Sequence, residues 1–434
     1  MAMNRRTFLA SSLGLAASLT GVWPSPARGR KRRGTRPPRR FDVAIIGAGL
    51  LGSAAARHLS KESDGVALIG PAEPARLRDH HGVFASHYDA SRLTRVVDPD
   101  LIWGTLAKRS VARYRAIERR SGIAFYHDIG YMMVTPGGLG TDWFNFPAMR
   151  AVATDLNVAL EELDDAALQE RFPYLRFTPG SGAMLQASNA GYINPRRLVE
   201  AQQKIAAAQG VTLLRDEIVQ VRSTGAEVEI RTRVGETVHA NRVLLATGAS
   251  TNAAKLLPHK LDTTVRAAMI MLAEVPTTAR LAYPSMLYAK TDGEEPFWGL
   301  LMPPVTYPDG RSYVKTMDGY YGPAPLKGYE ELGAWSRSHG HEDHHAVLER
   351  ALREVFPSLE VRSTQFKPCL ITETASQYPY IDMVDDRIGM VVGGNGKAAK
   401  SSDEIGRLAA EMMRTQTWPS SMPQALFAAQ FASS

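Results

Sequence analysis

The chain has 434 residues, 44% of them hydrophobic and 22% charged, a composition that excludes disorder throughout and leaves room for two or three domains. Its formal net charge is +7, but residues 1–40 hold ten Lys and Arg and no acid. The rest of the chain therefore stands at −3, the difference between +7 and ten, and no basic surface for nucleic acid is predicted.

Asn4-Arg5-Arg6-Thr7-Phe8-Leu9 precedes a moderately apolar run from Leu9 to Val22 and then Pro24-Ser25-Pro26-Ala27. A charged start, a short apolar middle and a small-residue end read as a signal peptide over residues 1–27. The paired arginines resemble a twin-arginine signal, so export by that machinery to the periplasm or exterior is expected. The rival reading is an uncleaved membrane helix; the run is short of the roughly 20 residues a bilayer core needs and contains Gly14 and Gly21. Residues 28–40 offer nothing apolar to bury and read as a disordered basic linker, with weak contact to an anionic membrane surface.

Phe41 to Gly52 comes next. Val43-Ala44-Ile45-Ile46 is a continuous apolar run, the mark of a strand buried on both faces. Gly47-x-Gly49-x-x-Gly52 follows, and Ser53 to Ser60 continues as a helix. Gly47 suits the tight turn, Gly49 the close approach of backbone to a pyrophosphate, and Gly52 the packing of helix on strand. The helix N-terminus adds free N–H groups and partial positive charge. A second strand, Val66 to Ile69, ends in Gly70-Pro71 where such folds place a carboxylate for the adenosine ribose. Glu73 is the nearest substitute, and a solvated loop glutamate fits it equally.

Arg92 and Arg95 stand three apart among small residues, as in a loop that sets guanidinium groups beside a cofactor; a solvated turn is the alternative. Leu101 to Ile117 has helical spacing, Ile123 to Val134 reads as strands around Gly130, and a helix is expected over Arg196 to Ala208. Val211 to Leu214, Glu217 to Arg222 and Val228 to Arg231 read as short strands. The apolar run Val243-Leu244-Leu245 ends in Ala246-Thr247-Gly248, a second dinucleotide signature about 200 residues after the first. The cofactor domain is thus predicted to be discontinuous, with another domain inserted.

Thr263 to Glu274, Ala282 to Tyr288, Phe297 to Met302 and Tyr313 to Met317 read as strands of that inserted domain. Trp298, Tyr288 and Tyr313 suit a pocket wall, though strand aromatics are more often core. His339, His341, His344 and His345 invite a metal reading; against it, Asp343 is a good N-cap for the amphipathic run that follows. Ser401 and Glu404 form a capping-box pattern opening a last helix.

Cys369 is the only cysteine, so an intrachain disulfide is impossible. Its surroundings, Cys369-Leu370-Ile371-Thr372-Glu373-Thr374, together with the glycine turn, the Arg92/Arg95 loop and Ala246-Thr247-Gly248, resemble the monomeric sarcosine oxidase family of flavin amine oxidases. The resemblance covers about residues 41–415. It implies an α/β fold with a discontinuous Rossmann-like FAD-binding domain (41–100, 190–260 and 365–434). The substrate domain, α+β on an antiparallel sheet, would then be 101–189 and 261–364. It implies FAD joined covalently to the sulfur of Cys369, with Arg92 close to the flavin and Gly394 and Gly396 beside it. Arg95 falls at the family's substrate-carboxylate arginine and Lys315 at its oxygen-activating lysine. Gly396-Lys397-Ala398-Ala399-Lys400 aligns with the family's Gly-His-Gly-Phe-Lys, making Lys400 the second carboxylate ligand. Lys397 in place of that histidine, and Gly319 where a substrate-site histidine is expected, are departures.

The implied activity is oxidation of the C–N bond of a small secondary or N-methyl amino acid or amine. Hydride passes to the flavin and oxygen becomes hydrogen peroxide. An FAD dehydrogenase with another acceptor, and a non-catalytic exported FAD-binding protein, are the alternatives.

Overall fold

In the computed structural model the described residues are 39–137, 144–278 and 281–433. The expected export signal lies outside them, as does most of the linker. Its last two residues, Arg39 and Arg40, instead begin strand β1 (Arg39–Ile46), opposite Val238 and His239.

Strand β1 is followed by helix α1 (Leu50–Leu59) and strand β2 (Val66–Ile69). β1 is central, running parallel to β2 on one side and to Thr237–Leu245 on the other. Its apolar run is continuous because alternate side chains enter two different cores. Val43 and Ile45 join a cluster with Leu59, Ile405 and Leu408, while Ala44 and Ile46 join one with Val228, Ile230 and Val238. Thr212–Leu214 extends the sheet beyond β2; Val228–Thr232, Ile218–Ser223 and the hairpin 380–392 complete it.

The last helix, Ala398–Thr415, lies against α1 so closely that a Cβ on Gly406 would sit 2.5 Å from that of Ala54. Only a glycine permits this approach. Strand β3 (Arg92–Thr94) pairs with Gly191–Ile193 in a small three-stranded sheet, and helix α2 (Leu101–Ser121) follows it. α2 was expected in the substrate domain, yet it buries Trp103 and Leu106 in the core shared with β1 and the last helix.

A second eight-stranded sheet begins with Ser363–Thr374, Thr263–Val275, Ser312–Asp318 and Phe297–Thr306 as neighbours. It is antiparallel apart from one parallel pair, Ser285–Lys290 with Tyr131–Pro136. Its first strand carries Cys369 opposite Ala268. The segment 365–434, expected wholly in the nucleotide domain, therefore opens on a strand of the other sheet. The molecule is thus a mixed α/β fold with a Rossmann-like sheet and a largely antiparallel one. Among the described residues no helix is long and apolar enough to cross a membrane.

Candidate functional site

A cavity of about 770 Å³ opens beyond the C-terminal end of β1, between the two sheets. Such strand ends are where parallel α/β sheets bind their ligands. Gly47 has φ +110°, and a Cβ on it would lie 2.2 Å from the carbonyl oxygen of Ala246. The two dinucleotide signatures are therefore one packed unit. A Cβ on Gly52 would meet the Gly47 carbonyl oxygen at 1.9 Å; this glycine shapes the turn from behind and does not line the cavity. Gly49 does line it and is open in front, with His87 Nδ1 the nearest atom to a Cβ at 3.9 Å. Gly49 caps α1 without any side-chain hydrogen bond, so the helix N-terminus is left for an anion. Burial, then Arg196 and Arg92, push His87 down to about 3, which keeps it neutral beside that terminus.

Arg92, Gly248, Cys369, Gly394 and Gly396 all border the same space. The Cys369 sulfur is 3.7 Å from an Arg92 guanidinium nitrogen, and Trp335 Nε1 donates to the Cys369 carbonyl at 3.0 Å. Arg92 also pairs with Asp89 at 3.2 Å. The Lys315 ammonium is fully buried, donates to Asp89 Oδ2 at 2.7 Å and to the Ser91 carbonyl oxygen, and does not border the cavity. Burial lowers the Lys315 pKa against the opposing pull of Asp89. Burial would likewise raise Asp89, but Lys315 and Arg92 hold its carboxyl well below the usual range. Tyr307 Oη donates to the same carboxylate at 2.9 Å.

Arg95 and Lys400 meet at another part of the wall, together with Lys397. What joins them is Asp98, 0% exposed, at 2.7 Å from Arg95 and 3.5 Å from each lysine. Arg95 is fixed further by a 3.1 Å bond to the Val97 carbonyl oxygen and by the Tyr131 ring, 4.9 Å from its Cζ. Burial opposes ionisation of Asp98, yet Arg95, Lys400 and Lys397 hold it far below the ordinary carboxylate value. Lys400 is pushed down to about 7, chiefly by burial and then by Arg95 and Lys397, with Asp98 opposing. Arg95 and Lys400, both at the cavity wall, are cations that can receive a carboxylate there.

Other expectations resolve plainly. Tyr288 and Tyr313 are core, while Trp298 borders the cavity and is 41% exposed. Asp343 does not cap the helix His345–Val355, whose N-cap is His344. Among the described residues no cluster can hold a metal ion; His344 pairs with Asp318 at 2.6 Å and His341 Nε2 bonds the Ala267 carbonyl oxygen. The capping box is also absent: the last helix starts at Ala398, Ser401 Oγ has no partner, and Glu404 binds Arg113 at 2.6 Å and Arg407 at 2.8 Å. Asp89 and Asp98 were missed, although each stands three residues from an arginine in the sequence.

These residues fit a dinucleotide. The glycine turn is closed behind and open in front, the α1 N-terminus is uncapped, and a thiol with a guanidinium lies across the same space. A family model described as FAD dependent oxidoreductase matches residues 42–412. The chain is 27% identical over 216 residues to the peroxisomal sarcosine oxidase of Mus musculus, covering 49% of this chain and 51% of that one. It is 22% identical over 388 residues to the monomeric sarcosine oxidase of a Bacillus species, covering 86% and 92%. The match thus spans about half the length of the mouse relative. Among solved structures, the open form of NikD, an unusual amino acid oxidase essential for nikkomycin biosynthesis, has a TM-score of 0.72. It covers 91% of this chain and 98% of its own at 20% identity, a likeness of fold.

Proposed function

The chain belongs to the family of FAD dependent oxidoreductases, and from that premise we propose that it oxidises the C–N bond of a small amino acid or amine. The observation that carries this reading is a shared cavity: the glycine turn, Cys369, and Arg95 and Lys400, which Asp98 joins from behind, all border it. FAD, when bound, supplies the two-electron acceptor for the hydride that leaves the carbon next to nitrogen.

The remaining work falls to side chains. Arg95 and Lys400 hold the substrate carboxylate, the guanidinium doing so in a fixed orientation because Val97, Tyr131 and Asp98 all constrain it. The positive cluster also disfavours an ammonium group nearby, so it promotes the neutral amine that can release hydride. The substrate loses a hydride from carbon and a proton from nitrogen, and water hydrolyses the resulting imine. Cys369, facing the cavity beside Arg92, is the site of covalent attachment in this reading.

Oxygen as the final acceptor is one form of the proposal. A dehydrogenase with another acceptor is favoured by one observation, that Lys315 is neutralised by Asp89 and lies outside the cavity wall. Export through a twin-arginine signal belongs to the same reading and rests on residues 4–27 alone. The test is an amine panel with peroxide detection in parallel with an artificial electron acceptor, and a spectrum of the acid-precipitated protein. Turnover of an amino acid with a yellow precipitate supports the proposal. Inactivity across the panel with either acceptor would sink it; a colourless precipitate with activity removes only the covalent link.

A further inference from the structure

We propose that Asp216 holds the ribose hydroxyls of the dinucleotide, in place of the acid that the second strand of such folds normally supplies. This assignment rests on the FAD reading above. Folds of this kind bond the adenosine ribose with a carboxylate at the end of β2, a position held here by Gly70. The structure shows why no acid stands there. A Cβ on Gly70 would lie 2.6 Å from the Ala48 nitrogen and 2.8 Å from the Ala48 Cβ, inside the glycine turn itself. Glu73 is no substitute: both its oxygens are bound by Arg196, at 2.7 to 2.9 Å, and it does not border the cavity.

The next strand of the sheet brings an acid to the same end. Thr212–Leu214 runs parallel to β2, with Leu214 opposite Ile69, and the Gly70 N–H donates to the Leu214 carbonyl oxygen at 3.0 Å. Asp216 follows two residues later and borders the cavity, as Gly70 does. Four carboxylates border that space among the described residues. Glu217 is paired with Arg233, Asp318 with His344 at 2.6 Å, and Glu373 with Arg266 at 2.8 Å. Asp216 pairs with no cation among the described residues. Its Oδ1 accepts the Glu217 N–H at 2.7 Å, which orients the carboxylate, and no other hydrogen bond reaches it among the described residues. A carboxylate with its second oxygen free can accept from vicinal hydroxyls.

The full-length Cys369→Ser protein, stripped of flavin, is titrated with FAD by fluorescence quenching. ADP and 2′-deoxy-ADP then compete against the flavin. ADP should compete about tenfold better than 2′-deoxy-ADP, and Asp216→Ala should weaken FAD about 10- to 100-fold while abolishing that preference, as expected for a charge-assisted bond. Asp216→Asn, which keeps the shape and one acceptor, should fall between. A preference for ADP that survives in Asp216→Ala, or unchanged FAD affinity in both variants, overturns the assignment. A parent protein that binds no FAD overturns the FAD reading itself, which is a different result.

Discussion

Replacing Asp98 with Asn keeps the side chain's shape but removes a buried negative charge that pairs with Arg95, Lys397 and Lys400. Asp98 is fully buried, its Arg95 contact is 2.7 Å and its lysine contacts are 3.5 Å. Breaking a buried pair by removing one partner typically costs about 3–5 kcal/mol, because the other charge stays uncompensated. In a chain of this size that is a fall in Tm of about 3–6 °C. The cations left behind should then favour any anion that can reach them from the cavity. Propionate, a carboxylate without an amine, is the probe. At about 100 times its Kd a ligand contributes about 2.7 kcal/mol, so it should recover half of the loss or more. It should raise the Tm of Asp98→Asn by several degrees more than that of the parent at pH 6. Equal shifts in both proteins would show that the ligand does not sit at this cluster. An unchanged Tm in Asp98→Asn would refute the account of the buried charges.

Lys400 carries its charge below about 7 and loses it above, so the inhibition constant of propionate should rise by up to about tenfold per pH unit above that point. Lys400→Met should flatten this dependence, and a flat profile in the parent assigns the pH effect elsewhere. The same depressed value has a linked effect on stability. Between about 7 and the ordinary 10.5 the unfolded chain binds this proton and the folded one does not, so this group's contribution makes stability rise with pH in that window. Gly70→Asp, which restores the usual acid, should lower flavin content instead of raising it, because its Cβ enters the glycine turn; Gly70→Ala should do the same, and tighter FAD binding by either would contradict the geometry. Asp89→Asn removes the counter-charge of Lys315 and should speed reoxidation of the reduced enzyme by air about tenfold in stopped flow. An unaltered rate would place Lys315 outside oxygen chemistry.

Much of the fold is written in local patterns. The continuous apolar run of β1, the glycine turn and the helix after it need only neighbouring residues to be recognised, and the structure has them as a strand, a turn and α1. Strands such as Thr263–Val275 and Ser312–Asp318 were legible for the same reason. The capping box was not, because Glu404 has a stronger claim on its charge: Arg113, from a helix 291 residues earlier, reaches it at 2.6 Å. The surroundings of Lys315 were not legible either, because its partner Asp89 is 226 residues away and can be seen only in three dimensions.

The segment 89–98 explains why both cationic sites are where they are. It reads Asp89-Ala-Ser-Arg92-Leu-Thr-Arg95-Val-Val-Asp98, with an acid at each end and an arginine three residues inside each acid. Each arginine pairs with its own acid, Arg92 with Asp89 at 3.2 Å and Arg95 with Asp98 at 2.7 Å. Between them runs β3, pinned to Gly191–Ile193, so the spacing of the two guanidinium groups is set by backbone rather than by flexible side chains. Each acid also recruits a distant lysine, Lys315 at Asp89 and Lys400 at Asp98. Burying several like charges is tolerable only when counter-charges are built in, and here the counter-charges come from the same ten residues as the arginines. One cluster lies against the Cys369 sulfur through Arg92 and the other borders the cavity with Lys400. A single short segment therefore sets the spacing between the Arg92–Cys369 side of the cavity and the Arg95–Lys400 side, and under the proposed function a substrate would be selected by whether the separation between its carboxylate and its C–N bond matches that spacing.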